Sequence, residues 1–504
     1  MARLNQQKAG VLLSYLNLLL GSVVPLIYTP IMLQILGQAE YGLYSLSNSV
    51  TSYLALLNLG LGSAIVRYVA KYRAENNTDG VRGLVGMFFL IYSCMAVVVC
   101  VGGGILSATA GTLFSKGLNP SEIQRMRILV IIMTLNVAIS LPVSTFASVI
   151  SAYERFVFAR TVGIFGTVAV PCINLVILFL GKGTVGMALV ALAMQIVSAA
   201  VYISYCSKKL HIAPSFRKMP VDLIKEIAGY CFFIFLSTIV DMLYWATDKV
   251  LIGAVLGTVA VAIYNVGGVF TSIMQSLAQA ISQVFTPQIM MMATKKKRST
   301  EEISALLIRI GRIQFYIVSF IISGYVVFGQ RFIALWAGKD YEQAYYVALL
   351  TMIPLGIPLI QSIAYSTMVA ENKHQFRAIV YAVIAVINVV STYLVLPYYG
   401  IIGAAACTAG AFLLGNGVIM NIYYHRKMKL DIPRFWRNIL RISFIPLIMG
   451  VAGWFVINGL LPADNMIVFV AGVAVYSVLF WVFSWFVSMN RQERQMILGM
   501  IKRG

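Results

Sequence analysis

Two acidic residues stand inside apolar stretches, Asp241 and Asp248, and the second is followed by Lys249. Their spacing of seven residues is close to two helical turns, so both carboxylates share one helix face about 10 Å apart along the axis. Tyr244 and Trp245 fall between them on that face. A charge at membrane depth is costly and normally faces a bundle interior or a wet cavity, where it can handle protons or cations. Asp241 and Asp248 are therefore candidates for coupling to H+ or Na+, with Lys249, Tyr244 and Trp245 as candidate cavity contacts. Near a helix end, Asp248 and Lys249 can equally snorkel or pair and only orient the helix.

Other chemistries find little support. His211, His374 and His425 all fall in or beside polar loops, so neither a metal centre nor histidine catalysis is expected inside the apolar stretches. Cys94, Cys100, Cys172, Cys206, Cys231 and Cys407 lie in or at those stretches and read as packing residues. No Gly-x-x-x-x-Gly-Lys-Ser/Thr run occurs, so ATP is not the driver and no cofactor is expected. The longest outer loop, about 108–125, is too short and too poor in acids and bases to hold a catalytic site, so no enzyme is expected. Polar residues at depth are mostly amides and tyrosines. Asn48, Asn265, Gln275 and Gln279 lie on repeat-related stretches and are candidates to line a path, as is Tyr28, although amides also glue helices and tyrosines also form interfacial belts.

These residues need helices to place them, and composition says of what kind. Of 504 residues 60% are hydrophobic and 11% charged, which excludes a water-soluble globular enzyme and a disordered chain. Fourteen apolar stretches are long enough to cross about 30 Å of hydrocarbon. They run over about 11–35, 42–68, 84–108, 126–150, 157–180, 184–206, 227–253, 259–289, 311–335, 344–369, 377–397, 400–424, 438–460 and 465–488. An even number puts both termini on one side. On that side fall 31 of the 38 Lys and Arg, so both ends are expected in the cytoplasm, and the net charge of +21 needs no nucleic-acid partner. Pro25, Pro30, Pro142, Pro171, Pro354 and Pro358 lie within the stretches, where each removes a backbone hydrogen bond and permits either a bend or a static kink.

The chain also resembles itself at an offset near 220. Leu36-Gly37, Tyr44 and Thr51-Ser52 match Leu256-Gly257, Tyr264 and Thr271-Ser272; Phe158 matches Phe376; Ile173-Asn174 matches Ile387-Asn388. An offset of six spans preserves orientation, so the expected fold is an all-α polytopic membrane protein with two parallel six-helix pseudo-repeat lobes and two C-terminal helices. The expected boundaries are an N-terminal lobe at 1–206, a basic linker at 207–226, a C-terminal lobe at 227–424, and spans 13 and 14 with a tail at 425–504.

The run Ile35-Leu36-Gly37-Gln38-Ala39-Glu40-Tyr41-Gly42-Leu43-Tyr44, then Leu57-Asn58-Leu59-Gly60-Leu61-Gly62 and Arg67-Tyr68, resembles the opening of Wzx-type bacterial polysaccharide transporters. Thr247-Asp248-Lys249-Val250-Leu251-Ile252-Gly253 resembles the start of their second half. That family belongs to the multidrug/oligosaccharidyl-lipid/polysaccharide (MOP) exporter superfamily. The resemblance implies a V-shaped pair of lobes in the bacterial inner membrane that flips undecaprenyl-pyrophosphate-linked oligosaccharide, the repeat unit of O-antigen, capsule or a related glycan, to the outer leaflet by alternating access. Membrane lipid and other polysaccharide-assembly membrane proteins are the implied partners. Such cargo calls for cations at the cytoplasmic mouth, and Arg67, Lys71, Arg155, Arg160, Arg309 and Arg312 are the candidates for phosphate capture, though the same residues can simply fix topology. Unlike lipid II flippases, the first two spans carry no arginine before Arg67, which argues against lipid II itself as cargo. The rival reading is a drug or cation antiporter of the related multidrug family.

Overall fold

The computed structural model describes residues 2–495 other than 218, 221, 225, 228, 230, 232–234, 236–237, 240–241, 244–245, 295–299, 372, 461–465 and 492; of 2–12, 283–284, 286–294, 374, 458–460 and 466–467 it describes the backbone alone. Every regular element among them is helical. Helix α1 (Ala2–Ser52) leads through a tight turn at Tyr53–Asn58 into α2 (Leu61–Ala74), and α3 (Thr78–Leu113), α4 (Pro120–Ala152), α5 (Phe156–Phe179) and α6 (Gly183–Lys208) follow. Beyond the linker come α7 (Thr247–Val255), α8 (Thr258–Thr294), α9 (Thr300–Trp336), α10 (Gln343–Ile360), α11 (Ser362–Ala370), α12 (His374–Phe412), α13 (Met420–Arg426), α14 (Ile432–Leu460) and α15 (Met466–Phe483).

Local chemistry explains the helix starts and bends. Asn77 caps α3 by accepting the Gly80 N–H at 2.7 Å, and Asn119 with Glu122 forms a capping box on α4, behind Pro120 in the first turn. Helix continuity runs through Pro25, Pro30, Pro142 and Pro171; the sharp breaks fall at glycines instead, with Gly37 at φ 75° inside α1 and Gly400 at φ 59° inside α12.

Eleven helical stretches among the described residues are long and apolar enough to cross a membrane. Their most apolar windows are only 11–61% buried within the protein, so much of that surface must face hydrocarbon, and the chain is a multi-pass membrane protein. Two of the eleven, Leu13–Ala74 and Gln375–Arg426, are about twice the usual length and contain the breaks at Gly37 and Gly400.

The chain divides into two compact units, Met1–Ile263 and Tyr264–Gly504. In the first, α3 packs on α4 around Leu84, Phe88, Tyr92, Phe146 and Ile150, and the linker lies along α3, where Ser215 N–H donates to the Arg82 carbonyl at 3.0 Å. In the second, α9 takes α14 and α15 against Val327, Phe328, Tyr476 and Phe480. The internal repeat is visible in packing. Phe158 stacks on Tyr205 with centroids 3.7 Å apart in the first unit, and Phe376 on Tyr423 at 4.2 Å in the second, both partners displaced by 218 positions. The Thr51 hydroxyl meets Met133 Sδ at 3.8 Å; at the equivalent positions Thr271 meets Thr351 at 2.9 Å. Gly37 and Gly257, and likewise Gly181 and Gly400, share left-handed backbone.

Candidate functional site

The most irregular backbone in the first unit lies inside its second apolar stretch. Leu57-Asn58-Leu59-Gly60-Leu61-Gly62 places two glycines and an asparagine where a helix would need strong formers. The chain responds with a 3-10 turn over Tyr53–Asn58, then Leu59 at φ 50° and Gly60 at φ 67°, before α2 resumes. Gly60 offers α2 no side-chain cap; Ser63 N–H turns back to the Gly60 carbonyl at 3.3 Å, and the Gly62 N–H is taken up by the Tyr92 hydroxyl. Tyr92, fully buried on α3, donates to Asn58 Oδ1 at 2.7 Å and pins the break in place. Broken backbone within an apolar stretch is stable only where protein surrounds it or a wet cavity adjoins it.

A cleft of about 440 Å³ adjoins this one, lined by Asn58, Gly60, Gly62 and Ser63 from the break and by Ser144, Ser148 and Ser151 from α4. The serines follow at spacings of four and three, which puts their hydroxyls in one row along α4. Gly62 makes the approach of α2 to α4 possible: a Cβ there would lie 3.1 Å from Ser148 Oγ. Ser144 gives its proton to the Leu141 carbonyl at 2.6 Å and also hydrogen-bonds with buried Tyr92. The hydroxyls of Ser63, Ser148 and Ser151 have no hydrogen-bond partner among the described residues. The cleft thus offers several hydroxyls to a polar ligand, in the manner of a surface that exchanges hydrogen bonds with sugar hydroxyls or phosphate oxygens.

Cations follow its lining residues closely in the chain. Exposed Arg67 follows the lining residue Val66, exposed Lys71 stands one turn further along α2, and exposed Arg155 lies four residues beyond Ser151. Arg73 ties the two helix ends together by donating to the Ala152 carbonyl at 3.1 Å while lying 4.7 Å over the Tyr153 ring. Burial pushes the Tyr153 phenol above its ordinary pKa, with Arg73 opposing, so the ring stays a neutral platform for that guanidinium. Arg160 is exposed a turn into α5.

The remaining expected site residues divide. Asp248 is 2% exposed in the first turn of α7, electrostatically close to Tyr53 and to Lys249. Beside it Thr247 shares a hydrogen bond of 2.6 Å with Tyr53 at the start of the 3-10 turn, which couples the Asp248 segment to the broken helix. Asp241, Tyr244 and Trp245 lie outside the described residues. Tyr28 is half-buried, hydrogen-bonded with Asn174 and 4.0 Å from Met187 Sδ, away from the cleft. Asn48 and Gln279 are exposed; Asn265 and Gln275 are half-buried in the second unit. Arg309 is exposed on α9, whereas Arg312 is 8% exposed and already engaged: its Nε lies 2.5 Å from Glu493 Oε1 and its Nη2 donates to the Ser488 carbonyl at 3.0 Å. Such a guanidinium holds the C-terminal segment on α9. The hydroxyl row of α4 and the Asn58–Gly62 lining are what the residue-by-residue reading missed.

Among curated proteins none matches the chain in sequence. A model of the family described as "Polysaccharide biosynthesis protein" matches residues 8–293. Among solved structures, the fold is similar to the lipid II flippase MurJ in an inward closed conformation, with 14% identity and a TM-score of 0.75 over 94% of this chain and 97% of that one. It is also similar to an inward-facing multidrug resistance MATE family transporter of the MOP superfamily (13% identity, TM-score 0.66, 82% of this chain and 96% of that one). A MOP superfamily transporter from Pyrococcus furiosus aligns with 13% identity and a TM-score of 0.57, over 81% and 93% of the two chains. At these identities the likeness is one of fold.

Proposed function

The chain belongs to the polysaccharide biosynthesis protein family, and on that premise we propose that it flips an undecaprenyl-pyrophosphate-linked oligosaccharide from the cytoplasmic to the outer leaflet of a bacterial plasma membrane. The observation that carries this reading is the hydroxyl-lined cleft opened by the broken second helix, with exposed Arg67, Lys71 and Arg155 within a few residues of its lining in the chain. An unpaired hydroxyl transferred into hydrocarbon loses several kcal/mol. A glycan headgroup has many, so its passage requires a surface that replaces water group by group. The serine hydroxyls suit that task, and arginine forks suit the diphosphate.

The finer architecture belongs to the same proposal. The two double-length stretches, each broken at a left-handed glycine, together with the apolar stretch expected at 227–253, support fourteen spans. The repeated packing supports two six-helix lobes, at 1–206 and 227–424, that form a V and open to each leaflet in turn, with both termini cytoplasmic. Asp248, buried beside Tyr53, and Asp241 are the acids proposed to couple the cycle to H+ or Na+. The test is deletion of the gene in its host. Loss of surface glycan with lipid-linked oligosaccharide retained in the cytoplasmic leaflet is the expected result; unchanged glycan with heightened sensitivity to cationic drugs would replace this reading with the antiporter.

A further inference from the structure

A second cleft, of about 350 Å³, lies on the other side of the same broken turn and is apolar. Leu59 and Leu61 form one wall, Ile91 and Met95 of α3 another, and Ile227 and Phe235 a third. The assignment alternates residue by residue: 58, 60 and 62 line the hydroxyl cleft, 59 and 61 the apolar one. A continuous α-helix, at about 100° per residue, would send residues 59 and 61 to nearly opposite sides. The left-handed pair at Leu59 and Gly60 therefore creates both clefts at once and leaves one turn of backbone, without a side chain at Gly60, as the partition.

Resting on the functional reading above, we infer that this apolar cleft holds the first isoprenoid units of the carrier lipid while the hydroxyl cleft holds the diphosphate and sugar end. The cargo is an amphiphile whose apolar and polar parts meet at one covalent junction, and a protein that handles it needs adjoining apolar and polar surfaces within a bond or two of each other. The partition at Leu59-Gly60-Leu61 supplies that adjacency. The branched and flexible walls of Leu, Ile and Met fit the kinked, methyl-bearing chain of a polyprenyl group, and Met95 can adjust to its bends. Capture of the tail here fixes the register of the headgroup against Ser63 and Ser148, so that the lipid is recognised at its junction and the distal sugars are free to vary.

The experiment uses the full chain in lipid nanodiscs and an undecaprenyl diphosphate analogue with a diazirine on the isoprene unit nearest the phosphate. Photolysis should attach the probe to peptides containing Ile91 to Met95 and Ile224 to Phe235, unlabelled undecaprenyl phosphate should displace it, and Met95→Trp should reduce the adduct roughly tenfold by filling the cleft. Ile227→Trp, on the facing wall, is the second variant, and the displacement arm needs no substitution at all. Adducts confined to other helices, or equal labelling of the cleft by a phosphatidic acid carrying the same diazirine, would overturn the assignment, the latter making the cleft a general lipid contact. Leaflet-to-leaflet transport of polyprenyl-linked glycan, measured on the same preparation, separates the two failures: transport with adducts elsewhere defeats this inference alone, and no transport defeats the functional reading beneath it.

Discussion

Ser148 stands opposite Gly62 in the hydroxyl cleft, where a Cβ on Gly62 would lie 3.1 Å from its Oγ, so bulk at position 148 fills the cleft. Ser148→Leu is expected to abolish glycan export while protein abundance in the membrane stays normal, and Ser148→Thr, which keeps the hydroxyl, to retain most of it; surface glycan and immunoblot of the same cells report both. Arg312 and Glu493 present a different case, a buried ion pair that holds the C-terminal segment on α9. Glu493→Ala leaves a guanidinium uncompensated and should cost about 3–5 kcal/mol, whereas Arg312→Met with Glu493→Leu together should recover much of the loss. Thermal unfolding in detergent distinguishes these two outcomes. The acids, amides and cations could be picked out of the sequence as residue types, but burial could not: nothing near Arg312 in the chain announces Glu493, 181 positions away. The serine row was legible as spacing and went unread because serine is common at helix contacts and becomes a site only when a facing glycine opens space.

At the level of helices, the first unit is held together where backbones touch. A Cβ at Gly42 would collide with the Thr258 carbonyl, and one at Gly253 would meet Leu46, while Glu122, fixed by its capping box, accepts the Thr258 hydroxyl at 2.9 Å. Gly42→Val is expected to destabilise the protein by about 1–3 kcal/mol through forced separation of α1 from the start of α8, read as a lowered melting temperature. The long apolar stretches were evident from composition because lipid demands them. The break in the second helix was present in the sequence as Leu57-Asn58-Leu59-Gly60-Leu61-Gly62, an alternation of period two inside a stretch otherwise helical, and an alternation of that kind signals two different environments on the two sides. Its meaning depended on α3 and α4, which no local pattern reports.

For the molecule as a whole, the repeat read from scattered dipeptides corresponds to repeated contacts: Phe158 on Tyr205 and Phe376 on Tyr423, Thr51 on Met133 and Thr271 on Thr351. Double-mutant cycles on the two aromatic pairs should give similar coupling energies of about 1 kcal/mol each, and markedly unequal values would show that the two halves have diverged in packing as well as in sequence. The two described clefts lie in the first unit and the buried Arg312 pair in the second. Transport requires a polar headgroup to cross hydrocarbon, and sidedness measures that directly. Purified protein is placed in liposomes with a fluorescent undecaprenyl-pyrophosphate oligosaccharide, and a membrane-impermeant reagent that destroys only the outer-leaflet label is added. With the protein present, nearly all of the label should become accessible, and with Ser148→Leu about half should stay protected, as in protein-free liposomes. Equal protection with and without the wild-type protein would contradict the account.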